Sequence, residues 1–180
     1  DLTVEKIEFL NTSNFAEINS ITRKNLELTK NQREKTVYGS LLWVLDRCIT
    51  SMGTRLLKKY INNPLLDIEI IYKRQEDVKY FIDNVLIRED LKEKLGNVYD
   101  LERLLGKIIF GNENGKDLTS LKNTIKSSIE LIYILKDTEF FENIDLEILL
   151  NIYKLIDESI KDDAPFSVRE GGIIKKGYNG

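Results

Sequence analysis

The chain has 180 residues, 42% of them hydrophobic and 32% charged, a balance that suits one packed domain with a well-solvated surface and argues against disorder. Its 27 basic residues face 30 acidic ones, net −3, so the basic excess expected of a module that lives by gripping phosphates is missing. There is no histidine and Cys48 is the only cysteine, which removes the usual general base, the Ser-His-Asp triad, the commonest metal ligand and any internal disulfide.

A reducing, cytoplasmic setting fits the lone cysteine. No apolar run approaches the roughly 20 residues that span a bilayer, and no signal peptide is seen. The chain begins at Asp1 and stops at Gly180, and neither end reads as a natural terminus, so a piece of a longer polypeptide is expected.

Residues 1–38 read as a small β-rich part. Ile7, Phe9, Phe15, Ile18, Leu26 and Leu28 form short alternating apolar runs separated by Asn-rich turns, which suggests a small antiparallel sheet. Asn31 to Lys35 reads as a polar loop, punctuated by Gly39.

Residues 39–164 carry a helical period and form the expected helical core. Ser40 suits an N-cap for a helix through Leu41, Leu42, Val44 and Leu45, and Thr50 for a second that stops before Pro64. Asp67 suits the cap of a helix with Ile71, Val78, Phe81, Ile82 and Val85 on one side, and Leu91 and Leu95 open another stripe. Asp100, Asp117 and Asp145 are read as caps of three more helices, the first closed by Gly111. Residues 165–180 read as a hairpin: Val168, Ile173 and Ile174 flank Glu170-Gly171-Gly172, and two glycines supply the positive φ of a tight turn. The fold class expected is therefore mainly α, an antiparallel helical bundle with a small N-terminal β-sheet and a C-terminal β-hairpin.

Candidate chemistry is thin. Gly111-Asn112-Glu113-Asn114-Gly115-Lys116-Asp117 has the look of a phosphate loop. It holds three residues between its glycines rather than four, and Asp117 stands where a magnesium-binding hydroxyl belongs, so an inter-helix loop is the better reading. Glu89-Asp90 and Asp162-Asp163 are sequence neighbours that do not face each other on a helix, and they read as solvated charge. Arg55, Lys58 and Lys59, followed by Tyr60, make a small basic strip that reads first as the wet face opposite Leu56 and Leu57. Trp43 reads as a core or domain-interface anchor. No catalytic, cofactor-binding or metal-ligating residue is assigned, and no Asp-rich loop has a calcium spacing.

Four stretches carry a family resemblance. They are Thr22-Arg23-Lys24-Asn25-Leu26-Glu27-Leu28; Ser40-Leu41-Leu42-Trp43-Val44-Leu45-Asp46 with Thr50-Ser51-Met52-Gly53-Thr54-Arg55-Leu56-Leu57 and Asn63-Pro64-Leu65-Leu66; Tyr99-Asp100-Leu101-Glu102-Arg103-Leu104-Leu105 with Lys116-Asp117-Leu118; and Arg169-Glu170-Gly171-Gly172-Ile173-Ile174-Lys175-Lys176-Gly177-Tyr178. In order and spacing the chain resembles the core region of bacterial MutS, the DNA mismatch-recognition ATPases. The resemblance implies a structural core, domain III and the approach to the lever, that links mismatched-DNA binding to an ATPase and has no catalysis of its own. It places ATP and magnesium elsewhere in the parent. It implies mismatched duplex DNA, a second MutS subunit and a MutL-type protein as the parent's partners, with no membrane. It also implies that lever helices complete the core, leaving the last helix near Leu149, Tyr153 and Ile156 exposed or paired with a second copy. Local chemistry adds that Asp100 and Arg103, one turn apart, can pair. The alternatives are a stand-alone DNA-binding module and the core of a MutS paralogue acting outside mismatch repair.

Overall fold

The computed structural model describes residues 14–140, 144–165 and 171–178. Among these the chain forms α1 (Ser20–Asn25), α2 (Leu41–Leu45), α3 (Ser51–Asn62), α4 (Ile68–Asp83), α5 (Val85–Leu95), α6 (Leu101–Ile109), α7 (Gly115–Leu135) and α8 (Leu146–Ser159). The helices fall into two compact units. One takes the described residues up to Cys48 and Gly53–Asp83; the other takes Ile49–Met52 and the described residues from Asn84 onward.

The caps explain the starts. The Ser40 hydroxyl accepts from the Trp43 N–H, Asp67 accepts from the N–H groups of Glu69 and Ile70, Asp100 from that of Arg103, and Asp145 from those of Glu147 and Ile148. Each satisfies a donor that has no partner within its helix. Helix α3 ends at Asn62, and Pro64 disfavours helical geometry in the residue before it. The apolar positions of residues 68–95 belong to two helices, parted at Asn84.

The expected sheet and hairpin are not there: the described residues contain no strand, only two isolated antiparallel bridges. Ile7 and Phe9 lie outside the described residues. Phe15 bridges Leu65, with Ala16 N–H donating to the Pro64 carbonyl (2.8 Å) and Leu66 N–H to the Asn14 carbonyl (2.9 Å). The pairing stops there because Asn19 caps α1, its side chain accepting from the Thr22 N–H, and helical geometry takes over. Leu26 and Leu28 flank Glu27, whose φ of +49° breaks any extended run. At the other end Gly171 and Gly172 do have positive φ, +67° and +73°. Ile174, however, bridges Ile160 at the end of α8, with Lys161 N–H donating to the Ile173 carbonyl and Lys175 N–H to that of Ser159. Val168, the other flank of the expected hairpin, is outside the described residues.

In the second unit α7 is the central helix, packed by α5, α6 and α8. Leu121, Ile125 and Ile129 on α7, Leu104 on α6 and Ile156 on α8 form its buried cluster, with Leu149, Leu150 and Tyr153 packed on it. This corrects the expectation for α8. Leu149, Tyr153 and Ile156 face inward, and Ile148, Ile152 and Leu155 make the exposed stripe instead. The two stripes are offset by one residue, about 100° around a helix. In the first unit Leu28, Leu42 and Ser40 are buried, and the Ser40 hydroxyl donates to the Val37 carbonyl (2.6 Å).

Candidate functional site

The basic strip is split by the fold. Lys59 and Tyr60 line a cleft of about 600 Å³ in the first unit, together with Arg23 from α1 and Arg74 from α4; Arg55 and Lys58 are exposed and do not line it. The Arg74 guanidinium lies 3.7 Å over the centre of the Tyr60 ring, a cation–π stack. Phe15, Ala16 and Ile18 form an apolar wall, and Glu17 is the cleft's carboxylate. Arg23 and Arg74 stand 36 and 15 positions from Lys59, so reading Lys59 with its sequence neighbours could not find them.

The Gly111–Asp117 stretch is a tightly bonded turn between α6 and α7. Gly111 has φ +65°; its N–H donates to the Ile108 carbonyl and the Asn112 N–H to that of Lys107, a Schellman closure. The cap of α7 is Asn114, not Asp117. The Asn114 side chain accepts from the Asp117 N–H (3.0 Å), and the Asp117 carboxylate accepts from the Asn114 N–H (3.2 Å), a capping box. Lys107 Nζ donates to the same carboxylate at 2.7 Å. The helix start thus already holds an anion, and a nucleotide phosphate placed there would meet a negative charge. These residues do not fit the ATP or magnesium implied for the parent, and no step through either follows from them. Gly115 is needed for a close approach: a Cβ at this position would lie 2.7 Å from the Ala164 Cβ and 2.9 Å from the Pro165 carbonyl oxygen.

A group that the sequence reading passed over is Lys122. Its side chain, 9% exposed, runs from α7 to two carboxylates, Asp157 of α8 (3.1 Å) and Asp162 just beyond it. The hydrogen bond from Lys122 draws the Asp162 carboxyl below its ordinary range. In return the bond to Asp162 lifts the Lys122 ammonium above its own, against the opposing pull of burial, with the Asp157 bond adding to the lift. Lys175 Nζ donates to the Asp157 main-chain carbonyl. Asp162 is solvent-exposed, as its reading as solvated charge expects, and its carboxylate also ties the chain after α8 to α7. The signal was present: Lys122 occupies the apolar stripe Leu118, Ile125, Ile129 at helical spacing.

The remaining candidates are plain. Glu89 lies on the surface beside Lys92 (2.9 Å) and Arg88 (3.3 Å), whose hydrogen bonds lower its pKa. Asp100 meets Arg103 through the Arg103 main-chain N–H and also accepts from the Ser51 hydroxyl (3.1 Å). Trp43 is 46% exposed, not in a core, and meets the Tyr38 ring edge-on at 4.7 Å. Among the described residues no group of three or more Cys, Asp or Glu side chains is placed to hold a metal ion, and no helix is long and apolar enough to cross a membrane.

The model of MutS domain III matches residues 21–177. The chain belongs to the MutS domain III family. Its relatives agree across almost its whole length: it is 51% identical to the DNA mismatch repair protein MutS of Fusobacterium nucleatum over 99% of this chain. It is 45% identical to that of Acetivibrio thermocellus over 88% and 43% identical to that of Clostridium novyi over 98%. The chain spans about a fifth of the length of these relatives.

Proposed function

We propose that this chain is the structural core of a MutS-type mismatch-recognition ATPase and passes conformational change between mismatched-DNA binding and ATP turnover, without catalysis of its own. The family match over residues 21–177 carries the reading. The second unit supports it, because α6, α7 and α8 are joined by polar and close steric contacts as well as by hydrophobic packing. These are the α6–α7 turn locked at both ends, the Gly115–Ala164 contact and the Lys122 ion pairs. In this reading the longer protein works in the cytoplasm, binds ATP and magnesium in another part, pairs with a second MutS subunit and meets a MutL-type partner.

The test is made in the full-length protein containing this chain. Lys122→Met is expected to reduce the stimulation of ATP turnover by mismatched over matched duplex DNA, with Gly106→Ala, which touches nothing, as the control. A Lys122→Met protein that keeps full mismatch stimulation would count against a relay through this unit.

A further inference from the structure

A second cleft, of about 450 Å³, opens in the first unit beside the Tyr60 cleft and shares Arg23 with it. Its lining residues all carry polar side chains: Arg23, Lys24, Lys30 and Lys35 supply four cations, and hydroxyl and amide side chains such as Thr29 and Asn62 supply the rest. Among the described residues no carboxylate lines it. In a chain of net charge −3 that is a strong local excess of positive charge.

The loop that carries the lysines is built. The Asn31 amide donates to the Tyr38 carbonyl (2.9 Å) and the Thr36 hydroxyl (3.2 Å), and its oxygen accepts from the Glu34 N–H (2.7 Å). The Glu27 carboxylate is held by the Gln32 N–H at 2.6 Å. Lys35 itself has φ +56°, a conformation that costs a non-glycine residue about 1–2 kcal/mol and that only the surrounding bonds maintain. At the junction of the clefts Arg23 Nε is buried and has no hydrogen-bond partner among the described residues. A buried unpaired donor of this kind calls for an explanation, and a bound anion supplies one.

We infer that this cleft is a phosphate-binding surface that takes the sugar–phosphate backbone of DNA, as a contact separate from mismatch reading. An acidic peptide would bring apolar side chains and ask for hydrophobic partners, and no hydrophobic residue is among the described lining residues; a phosphodiester chain asks only for cations and hydrogen-bond donors. The contact is independent of sequence, because the Tyr60 face next door is covered by Arg74 and offers no platform for a base. The choice of DNA among polyanions rests on the function proposed above.

The experiment uses the full-length protein and a fluorescent matched duplex, titrated at several salt concentrations. The triple variant Lys24→Gln/Lys30→Gln/Lys35→Gln is compared with the unaltered protein and with the triple arginine variant, after equal urea midpoints establish equal folding. Each lost phosphate contact removes about 0.9 from the slope of log K against log salt. The expected result is a slope smaller by up to about 2.7 and affinity at least roughly tenfold weaker at ~0.1 M salt, with the arginine variant unchanged. An unaltered slope overturns the inference. So does unaltered DNA binding combined with lost binding of a MutL-type protein, which would make the cleft a protein-docking surface. The preference of the unaltered protein for a mismatched duplex is scored separately: its absence would sink the proposed function, and the matched-duplex comparison would still decide the cleft.

Discussion

Two glycines of the second unit make opposite predictions for the same substitution. Gly106 lies inside α6 with nothing within 4 Å of where a Cβ would stand, so Gly106→Ala is expected to stabilise the chain by about 0.5–1 kcal/mol through helix propensity and a less flexible unfolded state. Gly115 is the first residue of α7, and propensity alone predicts a gain there too. A Cβ at 115, however, would meet the Ala164 Cβ at 2.7 Å and the Pro165 carbonyl oxygen at 2.9 Å, both closer than real contacts allow. Overpacking of this kind costs about 1–3 kcal/mol, so after the propensity gain Gly115→Ala is expected to destabilise by about 1–2 kcal/mol. Adding Ala164→Gly removes the first contact and not the second, and should restore part of the loss. Thermal unfolding by circular dichroism is sensitive enough, since 1 kcal/mol moves the midpoint of a chain this size by about 2–4 °C. If Gly115→Ala raised the midpoint as Gly106→Ala does, the close approach of Ala164 to α7 would be refuted.

The Lys122 ion pairs predict a pH signature. Asp162 is held below its ordinary value of 3.8, so its contribution is present above that value and lost as pH falls through the lowered one. Lys122 is held above 10.5, so its contribution is full below that value and lost as pH rises through the raised one. The difference in urea midpoint between the unaltered chain and Lys122→Met should therefore be level through the neutral range and shrink at both extremes; a difference that grows in acid would contradict the pairing. In the core, Leu104→Ala is expected to cost about 2–5 kcal/mol, read from urea unfolding, and a loss below 1 kcal/mol would mean that α6 does not seal the cluster.

What could be read from sequence follows the range of the interaction. Ser40, Asp67, Asp100 and Asp145 act within three residues, and each stands where its helix begins. Asp117 misled because both members of a capping box look like caps; Asn114, three residues earlier, is the one with extended backbone. The expected strands failed for a related reason. Phe15 and Ile174 do make β-type pairs, but with Leu65 and Ile160, partners 50 and 14 residues away that alternation within a segment cannot name. Lys122 has the same difficulty, its carboxylates lying 35 and 40 positions downstream. The basic strip was legible only in part, since Lys59 and Tyr60 gain their meaning from Arg23 and Arg74.

The turn between α6 and α7 also has a kinetic meaning. Its Schellman closure, its capping box and the Lys107–Asp117 bond all close within ten residues of chain. Loops of that size close in roughly 10–100 ns at small entropic cost, whereas docking α8 through Lys122 needs a span several times longer. The turn is thus the element able to register α6 on α7 before α8 arrives. Changes in it should fall on the rate of folding, and changes in the Lys122 pairs on the rate of unfolding. The stretch that looks like a phosphate loop, its helix start already engaged by the Asp117 carboxylate, would then serve as the fold's starting point.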